Sequence, residues 1–425
     1  MRILWITHDI FEPFLPYVKG KPTKGSSWVA PLFYNMKNQS GVKLGSITPV
    51  TDGEAQKKEI NGITYYSISI KKNENIRSIS ERLAARYLWA INDFQPDIIH
   101  IHGTERNFGL LRKFVDAKIP IVCSIQGILS PCYDGLKYSI AGIGMKKYQS
   151  LKNWLGRGGV YFSLRRWKSS IPLEQEIYRI NNYFIGRTMW DKAHLQAMNP
   201  SALYFHGEEL LRDEFYIHKW HIDTCERHRI FISSAGYPLK GSHVLLKAAA
   251  ILKEEYPDLK IVAPLSTIDM NSTYLKDYLI NEDYANYLKS LMKKYDLGNN
   301  VEFVRRFSAR EMAIENSKAH VFVLASFMEN SSNALGESMM VGVPSVASVV
   351  GGVASMVKDN ESSLLFPAGD HVLLAYQIKR IFSDDTLAMK LSREAQTIAQ
   401  KRHNIEVTTQ QYLAIYSNII EQQYE

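Results

Sequence analysis

Apolar residues in this chain fall mostly into short β-branched and aromatic runs, separated by stretches with helical spacing. In the first half, Ile3 to Thr7 predicts a buried strand, and Trp28 to about Lys37 a helix that Ser26 and Ser27 could cap, with Pro31 tolerated in its first turn. Val42 to Thr48 predicts a second strand, and Asn61-Gly62 inside Glu59 to Tyr65 signals a tight hairpin. A helix over Arg77 to Phe94, the strand Asp97 to His102, a short helix over Leu110 to Ala117 and the strand Pro120 to Ile125 follow. Asn182 to Gly186 and Ala202 to His206 resume the strand rhythm.

Between Leu211 and Arg229 the segment is rich in charge and histidine with little periodicity, and it reads as a linker. Beyond it come strands at Arg229–Ser233, Lys260–Ala263, Val301–Val304, His320–Ala325 and Pro344–Ser348. Helices alternate with them: Ser242–Tyr256, one ending at Tyr295, one from Ser308 and one from about Asn333. Asp370–Phe382 and Asp385–Lys401 lead to a helical tail ending near Gln423, and Ser266 to Glu282 reads as a polar insertion. Strands linked by helical crossovers predict parallel sheets covered on both faces. The expectation is α/β: two doubly wound, Rossmann-like domains over residues 1–215 and 216–400, with a helix over 401–425 packing back towards the first. In such sheets ligands sit beyond the carboxyl ends of the strands, where helix N-termini present unpaired N–H groups.

A length of 425 residues supports two cores, since single cores stop growing at about 250–300 residues. Cys123, Cys132 and Cys225 have no metal-ligand spacing and are too few for a disulfide framework. Neither the first residues nor any later run is apolar enough for a secretory signal or a membrane span, so the reading is cytoplasmic. The net charge of +8 is local. Gly135 to Leu173 holds no acid and carries Lys137, Lys146, Lys147, Lys152, Arg157, Arg165, Arg166 and Lys168, which equal the whole excess.

The sharpest chemical signal follows the strand His320–Ala325. Glu329 falls in the loop and Glu337 about one turn inside the next helix, with Ser331, Ser332 and Asn333 as capping residues between them. A phosphate suits that first turn, while flanking carboxylates suit sugar and ribose hydroxyls. Lys240 ends the loop after Arg229–Ser233, where an ammonium can neutralise a leaving diphosphate. His102 closes the strand Asp97–His102, and alternation places His100 on the same face. Arg187 follows Asn182–Gly186, with Asp191 suited to a helix start, and Gly25 lies in Lys24-Gly25-Ser26-Ser27. No Asp-x-Asp pair, metal-spaced cluster, nucleophile elbow or nicotinamide fingerprint is present.

Glu329, Glu337, Gly342-Val343-Pro344, Gly351-Gly352-Val353 and Asn360 to Pro367, in this order and register, resemble the retaining GT-B glycosyltransferases of family 4 (glycosyl transferases group 1). The resemblance is specific over Ser233 to Lys401 and weaker before it. It implies a GT-B fold, two Rossmann-like domains facing across a cleft. The implied activity is metal-independent, retaining transfer of a hexosyl group from a UDP- or GDP-linked donor, with no cofactor. It casts Glu329 as contacting the transferred sugar, Glu337 the ribose, and Ser331 to Asn333 the diphosphate. Lys240 would stabilise the leaving group, His102 would approach the reacting centre, and Gly25 and Arg187 would border the donor. The chain departs from the family pattern at Asn330-Ser331-Ser332-Asn333, which replaces a glycine-rich turn, and at Ala235, where the family has an arginine. Arg305, Arg306 and Arg187 are the substitutes in view.

Aromatic residues interleave with the cations of Lys137–Lys168, which suits an anionic membrane surface or an anionic lipid-linked acceptor. Nucleic acid is the disfavoured competitor. The integrated expectation is transfer to a saccharide or lipid-linked acceptor in surface polysaccharide biosynthesis, peripheral to the inner face of a membrane. A sugar-nucleotide epimerase of the same fold and a catalytically weak donor-binding subunit of a polysaccharide assembly complex are the alternatives.

Overall fold

A computed structural model describes residues 1–19, 28–71, 78–265 and 271–423. The proposed cap Ser26-Ser27 and Gly25 lie outside the described residues. Among the described residues the strands form two sheets. The first contains β1 (Arg2–Ile6), β2 (Lys43–Thr51), β3 (Gln56–Ile60), β4 (Ile63–Ile70), β5 (Ile98–His102), β6 (Ile121–Ser124), β7 (Tyr183–Gly186) and β8 (Leu203–His206). Their order is β3-β4-β2-β1-β5-β6-β7-β8, parallel except for the β3–β4 hairpin. The second contains β9 (Arg229–Phe231), β10 (Lys260–Pro264), β11 (Val301–Val304), β12 (Val321–Leu324), β13 (Ser345–Ser348) and β14 (Leu364–Phe366). Its order is β11-β10-β9-β12-β13-β14, all parallel.

Continuous apolar runs become strands here because both faces of a parallel sheet are covered, so alternation is unnecessary. Ile3, Leu4, Trp5 and Ile6 are all completely buried. The hairpin closes at Asn61 and Gly62, both with positive φ (51° and 76°), as the mirror-image turn requires. Ser80 caps the helix Glu81–Phe94 through the Leu83 N–H, four residues later than the sequence boundary. The short helix expected over Leu110–Ala117 is instead a 3₁₀ turn over Asn107–Lys113. The Arg112 guanidinium takes the carbonyls of Val115, Asp116 and Ile119, which turns the chain off the helical path.

Two compact units emerge, and they are not contiguous in sequence. One comprises Met1–Leu129, Ser170–Leu210 and Arg402–Glu425, the other Ser130–Ser169 and Leu211–Lys401. The sequence boundary at 215/216 kept the basic segment with the N-terminal half. Its contacts assign most of it to the second unit. Leu136, Met145 and Val160 are buried in the second unit's core, and the helix Gly159–Ile180 begins in a stretch with no acid to meet its N-terminal N–H groups. Glu282 and Asp283 supply the carboxylates, accepting from the N–H of Gly159 (2.8 Å) and of Val160 (2.9 Å), while Lys152 pairs with Glu282 at 2.7 Å.

The segment read as a linker is also packed. Phe215 and Trp220 are buried, and the Trp220 indole N–H donates to the Ala319 carbonyl at 2.7 Å. The insertion read as polar carries a short helix, Tyr274–Leu279, with exposed apolar side chains. Among the described residues no helix is long and apolar enough to cross a membrane.

Within the first unit Glu174 ties two segments together. Its carboxyl accepts from the Leu129 N–H (2.7 Å) and the Thr104 hydroxyl (3.0 Å). Burial raises its pKa from an ordinary 4.5 to about 8. The folded chain therefore holds a proton across an interval in which the unfolded chain has lost it. Stability from this group declines as pH rises from about 4.5 to about 8 and levels off above. Glu174→Gln, neutral throughout, should flatten that decline in urea midpoints measured across the same interval, and an unchanged slope would remove this carboxyl from the account.

Candidate functional site

In the second unit β9 and β12 are parallel neighbours, so the loops that follow them emerge side by side. The loop after β9 ends in the 3₁₀ turn Pro238–Lys240 and Gly241. Gly241 has φ of 70°, and a Cβ there would lie 1.8 Å from the Ala325 carbonyl oxygen, so only glycine lets the backbone pass. The Phe327 N–H then donates to the Leu239 carbonyl at 2.8 Å, fastening the two loops together.

That approach sets Lys240 Nζ 2.5 Å from Glu329 Oε1, which also accepts from the Ser326 hydroxyl at 2.7 Å. Burial works against the Lys240 charge, but the Glu329 carboxylate and Tyr237 outweigh it and hold the ammonium's pKa above its ordinary value. Both side chains keep partial access to solvent, 25% for Lys240 and 12% for Glu329. The Gly351-Gly352 turn fixes the acid from behind. Gly352 N–H donates to the Glu329 carbonyl (3.0 Å), and a Cβ on Gly351 would lie 2.0 Å from that oxygen.

Eight residues on, Glu337 lies inside the helix Asn333–Val341 and is buried. Arg212 grips it with two parallel bonds, Nε to Oε1 at 2.8 Å and Nη2 to Oε2 at 2.9 Å. Burial still pushes the Glu337 carboxyl above its ordinary range, although Arg212 pulls the other way. Sequence reasoning missed Arg212 because it lies in the segment taken as a linker, 125 residues from its partner.

Ser332 caps this helix, accepting from the Leu335 N–H, while its own N–H points at the Met356 thioether at 3.2 Å. A thioether is a weak acceptor that an anion readily displaces. Ser331, Ser332 and Asn333 therefore stand at the helix start between the two acids. Part of the basic segment walls this site. Gly135 packs so closely on Met328 and Phe327 that a Cβ would lie 2.9 Å from Met328 Cβ, and Tyr138 meets the Phe327 ring edge-on.

Ala235, where the resemblance expects arginine, is fully buried, its N–H on the Pro264 carbonyl. Arg305 pairs with Glu311, and Arg306 is exposed. Arg187 belongs to the first unit, buried in a pair with Glu209 (2.5 Å) and bonded to Gln126 (3.0 Å). Its segment forms a Thr188/Asp191 capping box.

His102 also belongs to the first unit, and geometry separates it from His100. His100 is engaged on both nitrogens, with Tyr416 Oη at 2.6 Å and Ser124 Oγ at 2.7 Å. His102 is buried against Trp5 and finds no hydrogen-bond partner for either ring nitrogen among the described residues. Burial holds its pKa well below the ordinary value, so the ring is neutral.

Residues 218–398, which contain Lys240, Glu329, Ser331 to Asn333 and Glu337, match the family model described as "Glycosyl transferases group 1". The D-inositol 3-phosphate glycosyltransferase of Corynebacterium urealyticum is 27% identical over 181 residues, 43% of this chain and 41% of that protein. The putative colanic acid biosynthesis glycosyltransferase WcaL of Salmonella typhimurium is 30% identical over 121 residues, 27% of this chain and 30% of that protein. The chain thus spans less than half the length of the curated relatives it matches. Among solved structures, sucrose-phosphate synthase of Thermosynechococcus elongatus superposes with a TM-score of 0.72 at 18% identity, covering 99% of this chain and all of that one. HepE of Anabaena, solved with UDP, superposes at 0.65 with 16% identity over 98% of this chain and all of that one. The fold is GT-B.

Gly241→Ala should separate the two loops and uncouple Lys240 from Glu329. Arg212→Ala should leave a buried carboxylate without its cation, at a cost of about 3–5 kcal/mol. Chemical denaturation would measure both, and a cost below about 1 kcal/mol for Arg212→Ala would show the pair to be dispensable.

Proposed function

We propose that this protein is a metal-independent, retaining glycosyltransferase that moves a hexosyl unit from a UDP- or GDP-linked donor to a saccharide or lipid-linked acceptor. The Lys240–Glu329 pair is the observation that carries the reading. A cation and a carboxylate stand together at the ends of two adjacent parallel strands, beside a helix start. A sugar diphosphate needs that set: positive charge for the departing phosphates and an acceptor for the sugar hydroxyls.

In this reading the donor diphosphate takes the Lys240 ammonium and displaces the Met356 thioether from the Ser332 N–H. Glu329 is released to the sugar hydroxyls. Glu337, held rigid by Arg212, offers an oxygen lone pair to the ribose diol. The anomeric C–O bond to phosphate breaks, the acceptor oxygen bonds to the same face of that carbon, and the departing phosphate oxygen takes the acceptor proton. No protein base is required, so the protein acts by orientation and charge stabilisation.

WcaL, named for colanic acid biosynthesis, supports an acceptor in surface polysaccharide assembly. The buried Ala235 and the serines at the helix start favour a second reading, a donor-binding subunit with little turnover. A sugar-nucleotide epimerase would consume donor without any acceptor.

Turnover of a nucleotide sugar with a saccharide acceptor should persist in excess EDTA. Inhibition reversed by magnesium or manganese would overturn the metal-free reading. Lys240→Ala and Glu329→Ala should each raise the transfer barrier by about 2–4 kcal/mol while nucleotide binding changes little. Glu337→Ala should instead weaken nucleotide binding, measured by calorimetry. Near-normal kcat in both Lys240→Ala and Glu329→Ala would refute the site assignment.

A further inference from the structure

Two short insertions in the second unit lie against each other: the turn of helix Leu151–Trp154 and the helix Tyr274–Leu279. Together they present Leu151, Trp154, Leu155, Tyr274, Leu275 and Tyr278 to solvent, with Trp154 73% and Tyr274 87% exposed. Soluble surfaces rarely gather large apolar side chains in this way without something to cover them. The mixture is specific, two tyrosines and a tryptophan among leucines, the composition that settles at the boundary between lipid headgroups and acyl chains.

The charge around the patch points the same way. Asp277, on the second helix, pairs with Lys289 (2.8 Å), and Glu282 pairs with Lys152 (2.7 Å). Lys146, Lys147 and Arg157 flank Leu151–Leu155 in sequence, are exposed, and have no carboxylate partner among the described residues. A second protein copy would bring matching cations against these three. An anionic lipid surface complements both the charge and the aromatic face.

We propose that this patch is a membrane-docking surface that inserts Trp154, Leu155, Tyr274 and Tyr278 into the interface of an anionic bilayer, with Lys146, Lys147 and Arg157 on its headgroups. The proposal rests on the glycosyltransferase reading only for its purpose, which is to hold the enzyme beside a lipid-linked acceptor. The contact combines two signals, as stable peripheral anchoring requires. The cationic part weakens as the Debye length falls from about 10 Å at 0.1 M salt to about 3 Å at 1 M, and the apolar part does not.

Flotation of the full chain with vesicles of phosphatidylcholine alone, or of phosphatidylcholine and phosphatidylglycerol in equal parts, tests this without donor or acceptor. The chain should float with the anionic vesicles. Reversing Lys146, Lys147 and Arg157 to Glu should lower binding about fivefold or more per residue at low salt. Changing Trp154, Leu155, Tyr274 and Tyr278 to Ser should lower it at low and high salt alike. These side chains are exposed, so both variants should keep the wild-type melting profile, and transfer to a water-soluble acceptor should be unchanged. Equal recovery on both lipids, no binding to either, or full binding by the serine variant would overturn the proposal. So would a dimer in solution that the serine variant dissociates while vesicles capture nothing, since a second copy would then cover the patch. Flotation without any glycosyl transfer would leave docking standing and refute the proposed function instead.

Discussion

The ion pair between Lys240 and Glu329 is the contact around which the second unit's site is arranged. Its members come from loops 89 residues apart in the chain, and the carboxylate–ammonium distance of 2.5 Å exists only because the two backbones nearly touch. Gly241 permits one approach and Gly351 the other, each at a point where a Cβ would collide with a carbonyl oxygen. Both charges are half-sheltered, so each has some access to solvent and to an incoming anion. In the absence of such an anion each neutralises the other, which keeps a partly buried lysine charged and oriented.

The second acid behaves differently. Glu337 is deeply buried and bound through both oxygens by Arg212, whose own side chain covers Phe215. A pair of this kind is rigid, and losing either partner strands a charge in low dielectric. The two glutamates, eight positions apart and superficially alike, therefore have distinct cations and distinct mobility. On the proposed reading the exchangeable pair performs the chemistry, and the fixed pair holds the ribose site in shape.

The acid-free stretch supplies a similar contrast within one segment. Its helix Gly159–Ile180 obtains carboxylates from Glu282 and Asp283, and Leu136, Met145 and Val160 are buried in the second unit's core, so Ser130–Ser169 belongs to that unit and Gly135 packs on the loop before Glu329. The lack of acids in this stretch and the burial of its apolar side chains thus both bear on how the chain is partitioned. Three of its exposed cations, Lys146, Lys147 and Arg157, flank the apolar side chains of Leu151–Leu155 in sequence.

Strands, crossovers, the Asn61-Gly62 hairpin and the Glu329/Glu337 motif with its serine caps were legible in the sequence, because each depends on neighbours within a few residues or on side chains buried on both faces of a sheet. Arg212 was not, nor was the partition of Ser130–Ser169, nor the exposed helix inside an insertion that reads as polar. His100 and His102 illustrate the limit: alternation places both on one face, and only the positions of Tyr416 and Ser124 engage one ring, while the other has no hydrogen-bond partner among the described residues. Local periodicity fixes what each segment becomes, since it records burial of that segment's own side chains. Which distant charge meets which is decided when the loops are folded together, because an ion pair across 89 or 125 residues leaves no mark on the spacing of either partner.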